Sequence, residues 1–468
     1  MKKLLSLLMC FVLMFSMMPS FANETGNYGK LVIVGGALRA DNDDVYNAFI
    51  ELAGGVGNAK IGIVPAASGS PSKYAKMFTE DMVARGLDQS QVVVLPLLTK
   101  DDSKTEEVDE SDWINNGNNA EVAKQVEGLT GIWFIGGDQI RITDVLLNAD
   151  GSETLVLTAM KKMYHGGGVV GGTSAGAAIM SETMIAGGDS LSALDYGYTE
   201  NFDDSSLDYQ NAGGLVVTKG LGFFKDGIVD QHFDRKARLG RLAVVAYDHK
   251  SVSNYAYGVE ENTALIFDAG TQMIRVAGTG GVVILDATNA RSGNGYDGFL
   301  VSYIEGNDQY DLSTHTALMD ADKYTTLGYE YLNTPETVVG GSMGPNQRFR
   351  DFIAFELVDN EAKSEVKTYL FGEGKNGFEF TFRNGETTEG YWGQSGAADL
   401  YSFENVEMDI HPVKIDIQRA DLYTVREGDA LWKIAKNHGV SLEALKKANA
   451  LKNPNQLVVG QVLNIPKK

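Results

Sequence analysis

"GGGVVGGTSAGAAIM", Gly166 to Met180, is the stretch on which the reading of this chain turns. Three glycines lead into two valines, and Gly-Gly-Thr-Ser-Ala-Gly then opens a run of small residues. A short apolar run bounded by glycines reads as a buried strand, and the small residues after it as the start of a helix. A serine at the centre of Gly172-x-Ser174-x-Gly176, between strand and helix, has the pattern of a nucleophile elbow. The turn is tight, so its flanks need glycine. The hydroxyl then stands clear at the sheet edge, and the N-terminal N–H groups of the helix face any oxyanion formed beside it. A glycine-rich turn packed against a neighbour fits the same letters, so the serine needs a partner before it implies chemistry.

Working outward, the same texture repeats. "KLVIVGGAL" reads as a buried strand ending in glycines, "VYNAFIELAGG" as a helix, "AKIGIVPAASGS" as a second strand and "PSKYAKMFTEDMVARGL" as a second helix. "QVVVLPLLT" and "EVAKQVEGLTGIWFIGGDQIRI" continue the alternation. Strand–helix alternation implies parallel strands joined by helical crossovers, an α/β layer fold with sites at the carboxyl ends of the strands. Those ends carry "VGG", "PAASG", "IGGDQ" and "GGTSAGA". After about Asp286, apolar and polar residues alternate around glycine turns, a β-rich hairpin pattern.

A nucleophilic serine needs a base. The chain has six histidines. His438 lies in the terminal segment, and His315 and His411 lie in the β-rich region. His165 begins the run that ends at Ser174, which puts it at the opposite sheet edge. His249, in "YDHKS", reads as a loop residue. His232, in "GIVDQHFDRKARLGRL", follows an apolar run where a strand's carboxyl end belongs, and it is the favoured base. An imidazole in this role is oriented by a carboxylate. The next strand-like run, "YAYGVEENTALIF", offers Glu260 and Glu261.

With these pieces assembled, Lys30 to Tyr310 resembles the cyanophycinases, in the serine peptidase family that also holds dipeptidase E. The matching stretches are "VIVGGAL", "PAAS", "FIGGDQIRIT", "GGTSAGA", "DQHFDRKARLGRL" and "GVEENTALI". The resemblance implies a class I glutamine amidotransferase-like α/β fold, a mostly parallel sheet with helices on both faces. It makes Ser174 the nucleophile, His232 the base and Glu261, rather than Glu260, the orienting acid. It assigns the oxyanion hole to the amides of Gly137 and Ala175. Gln139, Asp230 and Gln231 would line the pocket, and Arg238 and Arg241, three apart on one helix face, would hold substrate carboxylates. Lys236 stands where the family often has arginine. The substrate implied is cyanophycin, a polyaspartate bearing arginine, cut to β-Asp-Arg dipeptides without metal or organic cofactor. A homodimer is also implied. An α-aspartyl dipeptidase and a catalytically silent wall-binding protein are the rival readings.

The last stretch, Leu422 to Lys468, reads as strand, helix, helix, strand, with Ser441 capping the second helix. Tyr423-Thr424-Val425, Gly428-Asp429, Leu431-Trp432, Ile434-Ala435, Asn449 and "VVGQVLNIP" resemble the LysM module. That resemblance implies binding to peptidoglycan or another N-acetylglucosamine polymer. At the other end, Lys2 and Lys3 precede an apolar run from Leu4 to Met18, and Ser20-Phe21-Ala22 supplies small residues for cleavage. This reads as a secretory signal peptide. The only cysteine, Cys10, falls within it, so disulfides, thiol catalysis and cysteine-held zinc are not expected in the mature chain. Of 468 residues, 43% are hydrophobic, enough for a sizeable core. A net charge of −22 argues against nucleic-acid binding and suits a cationic, arginine-bearing substrate. The expected order is a signal peptide at 1–22, an α/β hydrolase domain at 23–310, a β-rich accessory region at 311–420 and a LysM domain at 421–468. The expected location is the cell envelope or the exterior.

Overall fold

In the computed structural model of the chain, the described residues are 28–105, 108–199, 214–335, 343–346, 348–372, 376–414, 421–451, 453 and 457–466. The expected signal peptide at 1–22, with Cys10, lies outside them. Among the described residues, no helix is long and apolar enough to cross a membrane.

Five parallel strands form the heart of the first sheet: β1 (Lys30–Val34), β2 (Ile61–Val64), β3 (Val92–Val94), β4 (Gly131–Phe134) and β5 (Val169–Thr173), in the order β1-β5-β4-β2-β3. The runs of β1, β2, β4 and β5 are almost wholly apolar because both faces are covered, while the edge strand β3 leaves Val93 and Val94 exposed. The pleat sorts them. Val32, Val34, Ile61, Ile63 and Trp133 meet helices α1 (Asp43–Leu52) and α2 (Pro71–Ala84). Leu31, Ile33, Val64, Ile132 and Phe134 meet α3 (Ala120–Glu127), α4 (Gln139–Leu146), α5 (Leu155–His165) and α6 (Ala175–Ala178) on the other face. His165 ends α5 and does not begin the strand. A three-stranded sheet follows, β6 (Thr183–Gly187), β7 (Tyr198–Thr199) and β8 (Leu215–Lys219), with α7 (Ser190–Tyr196) in the β6–β7 connection.

β9 (Ile228–Asp230), α8 (Leu239–Asp248) and β10 (Tyr255–Val259) lead into antiparallel structure. β11 (Thr263–Asp268) returns to pair with β1, and β12 (Met273–Gly278) extends that edge. The first sheet is therefore mixed. Its full nine strands also include β16 (Gln309–Asp311) and β17 (Thr316–Leu318). A second sheet grows from β9 and β10 through β13 (Gly281–Asp286) and β15 (Gly295–Glu305), which carries the short β14 (Arg291–Gly293). It continues to β22 (Ala398–Lys414), β21 (Glu389–Ser395) and β18 (Tyr324–Thr325), while β19 (Glu365–Phe371) and β20 (Asn376–Arg383) branch from it. Helix α9 (Phe349–Ile353) packs Phe349, Phe352 and Ile353 into the same core as Leu242 and Val245 of α8.

The β-rich region expected at 311–420 is thus not a compact unit of its own. The division falls at Val413/Lys414. β15 bonds to β13 on one edge and β22 on the other, so the ladder crosses the expected boundary at 310. Either side alone would leave a long row of unpaired backbone groups.

The second unit contains β23 (Asp421–Thr424), α10 (Leu431–Asn437), α11 (Leu442–Ala448) and β24 (Val462–Ile465), with β23 and β24 antiparallel. Val425, Leu431, Ile434, Leu445, Leu463 and Ile465 form its core. The Ser441 hydroxyl caps α11 by accepting the Ala444 N–H at 3.1 Å. The Asn449 side chain ties α11 to β24, donating to the Asn464 carbonyl at 2.8 Å and accepting its N–H at 2.7 Å.

Candidate active site

Ser174 sits between β5 and α6 with φ 56° and ψ −109°, a left-handed backbone that a non-glycine residue adopts only under constraint. Its N–H donates to Val34 at 3.0 Å, pinning the turn to β1. A Cβ on Gly172 would meet the Gly176 carbonyl oxygen at 2.6 Å, and one on Gly176 would meet that of Phe134 at 2.5 Å. These approaches explain the glycines around the serine.

The Ser174 Oγ lies 2.8 Å from His232 Nε2, and His232 Nδ1 lies 2.5 Å from Glu261 Oε1. His232 leaves the carboxyl end of β9, also at positive φ (48°), with its N–H donated to the Gly35 carbonyl at 2.5 Å. Glu261 lies between β10 and β11. Its N–H donates to Asp234 Oδ1 at 3.1 Å, and Arg235 Nε stands 3.8 Å from its second oxygen. Burial, followed by the charges of Lys236 and Arg238, pushes the His232 pKa well below its ordinary value. The ring is therefore neutral near pH 7. With the Nδ1 N–H donated to Glu261, Nε2 is left to accept from the Ser174 hydroxyl.

Glu260 turns away from the histidine. It is buried, and its Oε2 accepts the Gly281 N–H and the Tyr303 hydroxyl, each at 2.9 Å. Burial, and then the nearby Asp234 charge, push its pKa up to about 7. His249, at the end of α8, bonds its ring to the Val245 carbonyl. Gly137 and Ser174 line one cavity, and Ala175 is the first residue of α6, where N–H groups lack intrahelical acceptors. Among the described residues, no cluster of His, Cys, Asp or Glu is arranged to hold a metal ion.

The remaining expected pocket residues are elsewhere. Arg241 is 1% exposed. Its Nε and Nη2 grip both oxygens of Asp230 at 2.7 and 2.5 Å, and Nη1 donates to Gly188 at 2.6 Å. Arg238 is also buried, 3.5 Å from Asp230 and donating to the Gln231 carbonyl. Gln139 donates its amide to the carbonyls of Ile185 and Ala186. Together these groups form a scaffold under the His232 loop, not a wall of the cavity. The i, i+3 spacing does place both arginines together, but that face is turned inward onto Asp230.

The cavity beside Ser174 and His232, about 410 Å3, is bounded by residues that carried no motif, among them Tyr46, Tyr74, Met77, Phe78, Asp81 and Trp133. Their one sequence signal is spacing. Tyr74, Met77, Phe78 and Asp81 fall at i, i+3, i+4 and i+7, a single face of α2.

A family model for peptidase family S51 matches residues 31–275, more than half of the chain. The chain belongs to peptidase family S51. Within the family it is 29% identical to a cyanophycinase of Synechococcus elongatus over 309 residues, covering 64% of this chain and 80% of that one. It is 30% identical to a cyanophycinase of Trichormus variabilis over 263 residues, 55% of this chain and 73% of the other. A LysM model matches residues 423–466. There the chain is 51% identical over 43 residues, 9% of its length, to 13% of the probable peptidoglycan endopeptidase LytE of Bacillus subtilis. The S51 chain is thus a serine-type, cyanophycinase-like peptidase with a C-terminal LysM domain, the latter a module associated with cell-wall glycans.

Proposed function

We propose that this protein hydrolyses cyanophycin to β-Asp-Arg dipeptides with Ser174, His232 and Glu261, outside the cytoplasm. The observation that carries the reading is the unbroken hydrogen-bonded chain Ser174–His232–Glu261 beside an open cavity. Ser174 Oγ attacks a backbone aspartyl carbonyl while His232 Nε2 takes its proton. The amides of Gly137 and Ala175 receive the oxyanion. His232 then returns the proton to the leaving amine. Water, activated by the same imidazole, releases the acyl group from Ser174. Export under the N-terminal 22 residues, followed by retention on wall glycans through 421–468, directs the enzyme to polymer from outside the cell.

The test is incubation of the purified full chain with cyanophycin, wild type beside Ser174→Ala, with products identified by mass. The wild type releases β-Asp-Arg, and the variant is slower by at least about 10⁴-fold. Cleavage of soluble α-aspartyl dipeptides but not of the polymer would replace this reading with the dipeptidase one.

A further inference from the structure

One carboxylate stands in the wall of the cavity beside Ser174. Among the described residues lining it, Asp81 is the sole acid. The Tyr46 hydroxyl donates to Asp81 Oδ2 at 2.8 Å and fixes that carboxylate's orientation. Arg85, the residue that caps the same helix, is engaged elsewhere. It pairs with Asp43 at 2.7 Å, donates to the carbonyls of Ala40 and Asp81, and lies over the outer face of Tyr46. Aromatic rings stand in the same wall. Phe78 and Trp133 stack 4.6 Å apart with an 18° tilt, and Tyr74 stands at the rim, 45% exposed.

A carboxylate among flat rings suits a planar cation. A guanidinium stacks on aromatic faces and presents a fork of N–H donors to a carboxylate, whereas an ammonium is compact and strongly hydrated. Near His232 the cations Lys236 and Arg238 stand alongside the carboxylates of Asp230 and Asp234.

We propose that Asp81, aimed by Tyr46 and framed by Tyr74, Phe78 and Trp133, is the subsite for the arginine side chain of the substrate. This rests on the reading of Ser174 as nucleophile and adds to it the group that selects what is cut. A guanidinium held by Asp81 fixes the substrate unit in the cavity that Ser174 also lines.

The test uses the full chain and two small probes, L-arginine amide and its neutral isostere L-citrulline amide, titrated by calorimetry. Wild type binds the arginine probe about 10- to 100-fold more tightly, the range for a hydrogen bond to a charged partner. Asp81→Asn, which can still accept from Tyr46, loses that preference, and Asp81→Glu recovers part of it. Glu80→Gln, one residue away and outside this cavity, keeps it. With the arginyl polymer, Asp81→Asn raises KM with little change in kcat. Equal affinities in the wild type, or a preference surviving in Asp81→Asn, would overturn the proposal. Binding does not require the Ser174 hydroxyl, so the two readings separate. Arginine-selective binding through Asp81 without polymer cleavage sinks the hydrolase reading alone. Cleavage with a preference indifferent to Asp81 sinks the subsite alone.

Discussion

On one side of Ser174, Asp230, Arg238 and Arg241 lie buried and satisfy one another. On the other, Asp81 and the rings of α2 face a cavity of about 410 Å3. The first group comes from the most motif-rich stretch of the chain, "DQHFDRKARLGRL", and the second from an ordinary amphipathic helix. The difference separates two demands on a catalytic site. His232 must be held in a strained conformation within hydrogen-bond reach of Ser174, which takes a rigid support. A ligand must find groups with acceptor capacity to spare, and these are supplied by a plain helix face bordering open space.

The comparison breaks most visibly at Arg241. Arg241→Leu leaves the Asp230 carboxylate buried with the Gln231 N–H at 2.8 Å and only the longer cationic contact to Arg238, so a loss of about 3–5 kcal/mol in denaturant melts is expected. A loss below about 1 kcal/mol would mean that the guanidinium is not a structural partner and is available to substrate.

The next effect is on pH. The base works when neutral, so kcat/KM rises with pH through the folded-state pKa of His232. Burial and the neighbouring cations lower that pKa, so the acid limb lies below 6.5 and the rate is level from there to neutrality. Lys236→Met removes a repelling charge and shifts the limb upward. A wild-type limb at or above 6.5 in a pH–rate profile, or a downward shift in the variant, would show that the cations of the scaffold do not act on the histidine.

The smallest catalytic effect is expected from removal of 421–468, which contains none of the residues named around the serine. Turnover of a soluble arginyl substrate stays within about twofold, while retention on peptidoglycan in a pull-down is lost. That module has a core and cap of its own. Retention undiminished by the deletion would locate wall binding elsewhere.

Much of this is legible from residues alone. The glycines flanking Ser174 announce a tight strand-to-helix turn because the requirement is local. The strand runs of β1, β2, β4 and β5 are legible because continuous apolar stretches admit few other uses. Six histidines leave few candidates to stand beside Ser174, and the one after β9 is the one hydrogen-bonded to it. What escapes is orientation. Spacing puts Arg238 and Arg241 on one face, and Tyr74, Met77, Phe78 and Asp81 on another, but only tertiary packing decides which face meets a buried aspartate and which meets open space. Strand pairing escapes for a similar reason. The alternation in "FLVSYIEG" gives β15 its length, while its partners β13 and β22 are set by chain far away in sequence.

The Tyr303 hydroxyl of β15 reaches Glu260, the immediate neighbour of Glu261, and the same strand is hydrogen-bonded to β22 near the end of the first unit. The late strands are therefore tied, through one phenol, to the loop that presents Glu261 to His232. Chimaeras or truncations that cut at 310 would disturb that loop as well as the sheet. The workable place to graft, swap or shorten is the junction after Val413.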